Sequence, residues 1–187
     1  MESGFCWGAA ILIFIILVIY SGHSQKKQEE RKQAAKKQEA APFVNRSIDI
    51  IQESMDIINK TKNLDIVVGR FETIFTQVDQ LAKLVEQYQF LDLVKPSPQE
   101  MKEFYSKKRN EFIRDFVIKQ ADDDIGRAKA VTRNSSKIAS LDKALLRLFD
   151  GKKALNNDDS LSDFETKEKE IHQMIDDINE SKNAQGG

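Results

Sequence analysis

The sequence contains few of the residues that usually build a metal centre or a covalent active site. Its 187 residues include one cysteine, two histidines, one tryptophan and three prolines. A structural zinc site needs about four ligands and a catalytic site about three, mostly from histidine and cysteine. His23 and His172 cannot supply such a set, and no Ser/His/Asp motif accompanies them. We therefore expect no metal, no cofactor, no catalytic residues and no enzymatic activity.

The single cysteine excludes an intramolecular disulfide. Cys6 lies inside an apolar segment, so the rest of the chain has no thiol, which fits a reducing compartment. Palmitoylation of Cys6 is left open.

Positively and negatively charged residues occur in nearly equal numbers. The net charge is -1, with six Lys/Arg and four Asp/Glu up to Ala41 and 23 and 26 in the remainder. Nucleic-acid binding needs a concentrated Lys/Arg surplus to displace counterions from phosphates. We therefore expect no nucleic-acid partner.

What the sequence does have is one uncharged apolar run, from Phe5 to Tyr20. A helix of this length covers about 24 Å, close to a bilayer core of about 30 Å. Aromatic rings at both ends of the run favour the headgroup regions. We predict a single transmembrane anchor over residues 1–22, contacting lipid through Phe5, Trp7, Ile11, Phe14, Leu17 and Tyr20.

A cleaved signal peptide is the alternative for this segment. Such peptides have basic residues before the apolar run and a small-x-small site after it. Residues 1–4 include no Lys or Arg, and Gly22-His23-Ser24 is a poor cleavage site. A retained anchor is the better interpretation.

Basic residues follow the apolar run but do not precede it. The positive-inside rule then places the N-terminus outside and the following domain in the cytoplasm, with headgroup contacts from Lys26, Lys27, Arg31, Lys32, Lys36 and Lys37. Residues 23–42 are rich in helix formers with oppositely charged pairs at helical spacing, which predicts a helical stalk. Pro42 is expected to end that helix.

Residues 43–182 show a helical period nearly throughout. A first helix is predicted from steps of four and three positions, at Val44, Ile48, Ile51, Met55 and Ile58. A bend is expected at residues 61–63.

The second helix is predicted over residues 64–88. Its main apolar stripe comprises Leu64, Val68, Phe71, Phe75, Val78, Ala82 and Val85, and a flanking stripe comprises Val67, Ile74, Leu81 and Tyr88. Three apolar positions per heptad are typical of a bundle core, and coiled-coil-like pairing is a further expectation.

The third helix has a specific start signal. In Ser97-Pro98-Gln99-Glu100, serine caps the helix, proline suits the first turn, and glutamate reaches back to the cap. Its predicted apolar face is Phe104, Tyr105, Phe112, Ile113, Phe116 and Val117, and the helix is expected to pass through Gly126.

Two further helices are predicted. The fourth carries Ile138, Leu141, Leu145 and Leu148 and is expected to end at Gly151, before a polar loop over residues 152–159. The fifth is capped by Ser160 and Asp163, has Glu168 at its one polar core-spaced position, and buries Leu161, Phe164, Ile171, Ile175 and Ile178. Residues 183–187 are expected to be disordered. No repeat of about 20 to 50 residues is visible. The predicted fold is all-α: an anchor, a stalk and an antiparallel bundle of about four to five helices.

Charged clusters are interpreted as solvated surface. Asp122-Asp123-Asp124 cannot converge on one cation, because adjacent helical residues point about 100° apart. Residues 156–159 lack the spacing of a calcium loop. Lys107, Lys108, Arg109 and Arg114 form a small basic patch that could contact membrane phosphates or an acidic partner.

These features together predict a membrane-anchored helical interaction or scaffold module without catalysis. The expected partner is a protein, bound through an apolar strip at Phe90, Leu91, Leu93 and Val94, unless the last helix covers that strip. Self-association is left open. The alternatives are an exported, envelope-facing structural protein and, without a specific residue pair to support it, a helical enzyme that uses carboxylates.

Overall fold

A computed structural model describes residues 4–88, 94–155 and 161–185, and the side chains within them except those of residues 4–25 and 183–185. It contains five helices: α1 (Gly4–Lys60), α2 (Leu64–Tyr88), α3 (Pro98–Ala130), α4 (Asn134–Leu155) and α5 (Leu161–Gln185). No strand occurs in these ranges. Consecutive helices pack against each other, and α5 also contacts α3. The predicted all-helical bundle is confirmed.

The prediction that the stalk helix ends at Pro42 is wrong. Pro42 lies inside α1, which continues from the stalk into the bundle. Proline inside a helix loses one backbone hydrogen bond, a cost of about 3 kcal/mol. Packing on both sides of the proline offsets this cost, because Ala40 is fully buried and Val44 is 7% exposed.

The last turn of the stalk also contacts the end of α2. The pKa of Tyr88 is raised by desolvation and by the nearby Glu39 carboxylate. The sequence predicts that the stalk, residues 23–42, precedes the bundle. The structure shows that its end belongs to the bundle.

Helix α2 confirms the prediction for residues 64–88, but its buried side is rotated from the predicted main stripe. Residues assigned to the flank form the centre of the buried face, together with two from the main stripe: Val67, Phe71, Ile74, Val78 and Leu81. Ala82, expected in the core, is exposed. The predicted bend at residues 61–63 is confirmed, and Asn63 Oδ1 caps α2 by accepting a hydrogen bond from Asp65 N at 2.9 Å.

Helix α3 begins as predicted. Ser97 Oγ accepts a hydrogen bond from Glu100 N at 3.3 Å, and the Glu100 carboxylate accepts one from Ser97 N at 2.8 Å. The helix passes through Gly126 to Ala130. The prediction that Phe104 belongs to the core face is wrong, since its side chain is 56% exposed.

The prediction that α4 ends at Gly151 is also wrong. The helix continues to Leu155, and Gly151 is buried within it. A Cβ atom at this position would lie 2.8 Å from Val117 Cγ1 and 3.1 Å from Phe164 Cε2. The missing side chain lets α3 and α5 approach α4 closely. Residues 152–155 are therefore helix instead of loop, and residues 156–160, including the proposed cap Ser160, lie outside the described chain.

Helix α5 buries Phe164 and Ile171 completely, as its stripe predicts. Glu168, the polar residue at a core-spaced position, accepts a hydrogen bond from Lys152 Nζ at 2.7 Å. Both side chains of this pair are about one quarter exposed. The helix is assigned to Gln185, and residues 186 and 187 are outside the description.

Helix boundaries and burial repeat along the bundle at a spacing of 70 residues, a repeat that the sequence does not reveal. α1 and α3 end at residues 60 and 130, and α2 and α4 begin at residues 64 and 134, each pair being 70 residues apart. Where both are described, the order of buried and exposed positions in residues 47–105 (unit 1) is nearly repeated in residues 117–175 (unit 2). Ten corresponding pairs of described residues are buried: Ser47/Val117, Ile51/Ala121, Ser54/Asp124, Ile58/Ala128, Phe71/Leu141, Ile74/Ala144, Val78/Leu148, Leu81/Gly151, Val94/Phe164 and Met101/Ile171. Between residues 47–83 and 117–153 only two pairs are identical, Ile48/Ile118 and Lys83/Lys153.

A search of the described residues finds no helix that is long and apolar enough to span a bilayer. The side chains of Phe5, Trp7, Ile11, Phe14, Leu17 and Tyr20 lie outside that part of the chain. Their role as a membrane anchor therefore stays a prediction.

Replacing Gly151 with alanine should destabilise the protein even though alanine is the better helix former. The new methyl group would meet Val117 and Phe164, which are too buried to move aside. We expect a loss of about 1–3 kcal/mol in the free energy of unfolding, measured by urea titration. Gly126→Ala is the matched control, since its Cβ would have no atom within 4 Å. That variant should gain up to about 1 kcal/mol.

Ser97→Ala should lower the free energy of unfolding by about 1 kcal/mol at neutral pH, because it removes the cap of α3. The hydrogen bonds from Ser97 also hold the pKa of Glu100 below its ordinary value. Their stabilisation is complete above the unfolded pKa of about 4.3 and is lost as pH falls through the lower folded pKa. Alanine keeps the backbone N–H bond to the Glu100 carboxylate and loses only the bond that Ser97 Oγ donates at 2.8 Å, so part of the difference between wild type and variant should be lost in acid. A difference that stayed constant down to pH 2 would contradict this role of Glu100.

Candidate functional site

A charged cleft lies where the tip of unit 1 meets unit 2. The end of α1 and the α1–α2 loop form one wall, and α3 and α4 form the other. The cleft has a volume of about 720 Å³ and is lined by Asn59, Lys60, Thr61, Lys62, Phe112, Asp115, Phe116, Lys119, Gln120, Asp123, Asp124, Arg127 and Arg147. Eight of these thirteen lining residues are charged.

The cleft is organised around Asp124, which is 1% exposed. Its Oδ2 accepts a hydrogen bond from Arg147 Nε at 2.6 Å, and its Oδ1 accepts one from an Arg127 terminal nitrogen at 3.0 Å. Lys143 Nζ lies 3.7 Å from Oδ1. A buried carboxylate is tolerated only when it is paired and hydrogen-bonded. Three cations satisfy that requirement here.

Gln120 connects this cluster to unit 1. Its side-chain oxygen accepts a hydrogen bond from Arg147, and its side-chain nitrogen donates one to the backbone carbonyl of Lys62 at 3.0 Å. These bonds hold the α1–α2 loop against α3 and α4. The cleft is therefore framed by a continuous polar network.

The prediction that Asp122–Asp124 are solvated is wrong for Asp124 and incomplete for Asp122. Asp124 lies one helical turn from the buried residues Ala121 and Ala128 and is in phase with them. That phase, together with Arg127 three positions later, is the signal that sequence reasoning missed. Asp122 pairs with Lys167 on α5 at 3.0 Å, while Asp123 is exposed.

The predicted basic patch on α3 is largely engaged within the protein. Arg109 donates a hydrogen bond to the carbonyl of Ala154 at 2.7 Å, and Arg114 lies 2.9 Å from Asp115. Lys108 lies 5.3 Å above the ring of Phe104. Only part of this patch is free to meet a partner.

Of the predicted partner strip, the structure describes only Val94. Val94 is 3% exposed and belongs to the core, so its assignment to a partner surface is wrong. Phe90, Leu91 and Leu93 lie outside the described residues. Val94 lies four residues before α3, and its counterpart in unit 2, Phe164 in the first turn of α5, is also buried.

The predicted contact of the stalk cations with lipid headgroups stays a prediction, and the structure gives only their exposure. Lys26, Lys27, Arg31, Lys32 and Lys36 are exposed, and Lys37 is half-buried. His172 is exposed as well, and no group of metal-ligating side chains occurs among the described residues.

No protein-family model, curated protein or solved structure matches this chain.

Asp124→Ala should lower the free energy of unfolding by about 2–3 kcal/mol. Removing one partner of a buried charge pair costs about 3–5 kcal/mol, and the partial exposure of Arg127 and Arg147 reduces that value. Ser54→Ala is a control at the corresponding position of unit 1. The Ser54 hydroxyl is buried without a hydrogen-bond partner in the described structure, so its removal should be neutral or slightly stabilising. Equal losses in urea titrations would contradict the special role of Asp124.

Proposed function

We propose that this protein is a membrane-tethered helical interaction module that performs no catalysis. The apolar run Phe5–Tyr20 would anchor it, and the two-unit bundle would bind a protein partner at a fixed distance from the bilayer. The continuity of α1 is the observation that carries the proposal, because one helix connects the apolar run, the stalk and the bundle.

The length of α1 gives this tether a definite reach. From Tyr20 to Ala40, the first buried residue among the described side chains, the helix rises about 30 Å at about 1.5 Å per residue. A helical spacer transmits position and orientation, whereas a flexible linker of the same length does not. The proposed role is therefore to hold the bundle at a set height, where tethering raises its effective concentration for membrane-associated partners.

The exposed lysines and arginines of the stalk support an orientation with the bundle in the cytoplasm. They follow the apolar run immediately, and none precedes it. Positive residues are retained on the cytoplasmic side during insertion. Lys26 and Lys27 are exposed and lie about 9–11 Å beyond Tyr20 along the helix, where they would contact anionic headgroups at about 1 kcal/mol for each residue near the surface.

Exposed apolar side chains on the bundle favour a protein partner. Leu146 and Phe149 lie one turn apart on α4 and are 59% and 63% exposed. Single exposed apolar residues are common, but a pair on one helix face is a usual component of a protein contact.

Membrane fractionation tests the anchor. The wild-type chain should stay in the pellet after alkaline carbonate extraction, and Ile13→Arg should move a large part of it to the supernatant. Arginine at the centre of a membrane helix costs about 2.5–3.5 kcal/mol. Gln33→Arg, on the exposed stalk, is the control and should remain in the pellet. Recovery of the wild type in the supernatant would overturn the proposal.

Protease protection separates the proposed orientation from export. In intact cells, externally added protease should leave the bundle uncut if it faces the cytoplasm. Digestion of the bundle without cell lysis would instead establish the envelope-facing alternative.

A further inference from the structure

The charged cleft suggests the chemistry of the partner, and this inference rests on the interaction role proposed above. We propose that the cleft binds an acidic peptide segment of a partner protein. Arg127 and Arg147 would hold a carboxylate of that segment, and Lys60, Lys62 and Lys119 would attract it.

The two arginines are positioned in advance by the buried Asp124. Arg127 uses one terminal nitrogen for this carboxylate, and Arg147 uses Nε for it and another nitrogen for Gln120. A guanidinium has five N–H donors in a rigid plane. The remaining nitrogens have no hydrogen-bond partner within the described residues, and both side chains line the cleft. Fixed arginine donors suit a carboxylate because little freedom is lost on binding.

The charge balance of the cleft favours an anion. Five lining residues are cationic, namely Lys60, Lys62, Lys119, Arg127 and Arg147, and three are acidic, namely Asp115, Asp123 and Asp124. Asp115 already pairs with Arg114, which is not part of the lining. The three lysines are exposed and form no ion pair in the described part of the chain. Such charges raise the rate and specificity with which an oppositely charged partner binds.

Size and position favour a peptide over a free oxyanion or a lipid. The cleft volume of about 720 Å³ exceeds the space that one phosphate or carboxylate fills, and the half-buried Phe112 and Phe116 give it an apolar wall. A peptide with an acidic side chain next to an apolar one would contact both the basic residues and the apolar wall of the cleft. Lys60 lies about 60 Å beyond Tyr20 along α1, so the headgroups of the anchoring bilayer are out of reach.

The test uses the full chain in detergent and a fluorescein-labelled oligoglutamate peptide that ends in phenylalanine. Fluorescence anisotropy should show saturable binding that weakens as salt is added. Lys60→Gln/Arg127→Gln should reduce the affinity about tenfold or more. Lys129→Gln/Lys153→Gln is the matched control, because it removes the same charge from exposed positions outside the cleft. The control should change the affinity less than about twofold.

Equal weakening by the two double variants would overturn the proposal, because net charge alone would then explain binding. Inorganic phosphate that binds as tightly as the peptide would overturn the peptide assignment. The Arg127 side chain is 63% exposed, so thermal unfolding of the cleft variant should match the wild type. If it does not, Lys60→Gln/Lys62→Gln gives the same comparison without touching the Asp124 cluster. Detergent makes the result independent of whether Phe5–Tyr20 crosses a membrane.

Discussion

Helix α3 is the element on which the arrangement of the bundle depends. Its first part packs against α2, where Lys102 pairs with Asp79, and its later part packs against α4, where Val117 meets Gly151. One unbroken helix therefore belongs to both units. Because its backbone hydrogen bonds are all internal, the units cannot turn relative to each other without bending or breaking it. This constraint places the tip of unit 1 over Gln120 and creates the cleft.

The two units have corresponding helices but different residues at corresponding positions. Ser54 of unit 1 corresponds to Asp124 of unit 2, and Ile50 and Gln77 correspond to Gln120 and Arg147. The matching groove of unit 1, lined by Phe43, Ile50, Leu84 and their neighbours, has no acidic residue. Burial of a carboxylate requires nearby cations, so Asp124 and its arginines depend on one another. The buried charge cluster of the candidate site therefore lies in unit 2.

Sequence reasoning succeeded wherever a local rule decides the structure. The capping sequence Ser97–Glu100 fixed the start of α3, and the apolar period located every helix. It failed at Pro42 and Gly151, because proline and glycine are common at helix ends but both residues here lie inside helices. Packing on both sides offsets the cost of Pro42, and the missing side chain of Gly151 lets neighbouring helices approach closely. The 70-residue repeat escaped notice because burial repeats without residue identity.

The sequence by itself determined that the chain is helical, roughly where the helices begin, and that one apolar run is suited to a bilayer. These properties follow from backbone propensities, capping and periodicity, which act over a few neighbouring residues. Only the tertiary structure decided that Asp124 is buried, that Val94 belongs to the core, and that Lys60 and Lys62 face Arg127 and Arg147 across a cleft. Those facts depend on which helices pack together, and contacts between different helices leave no local pattern in the chain.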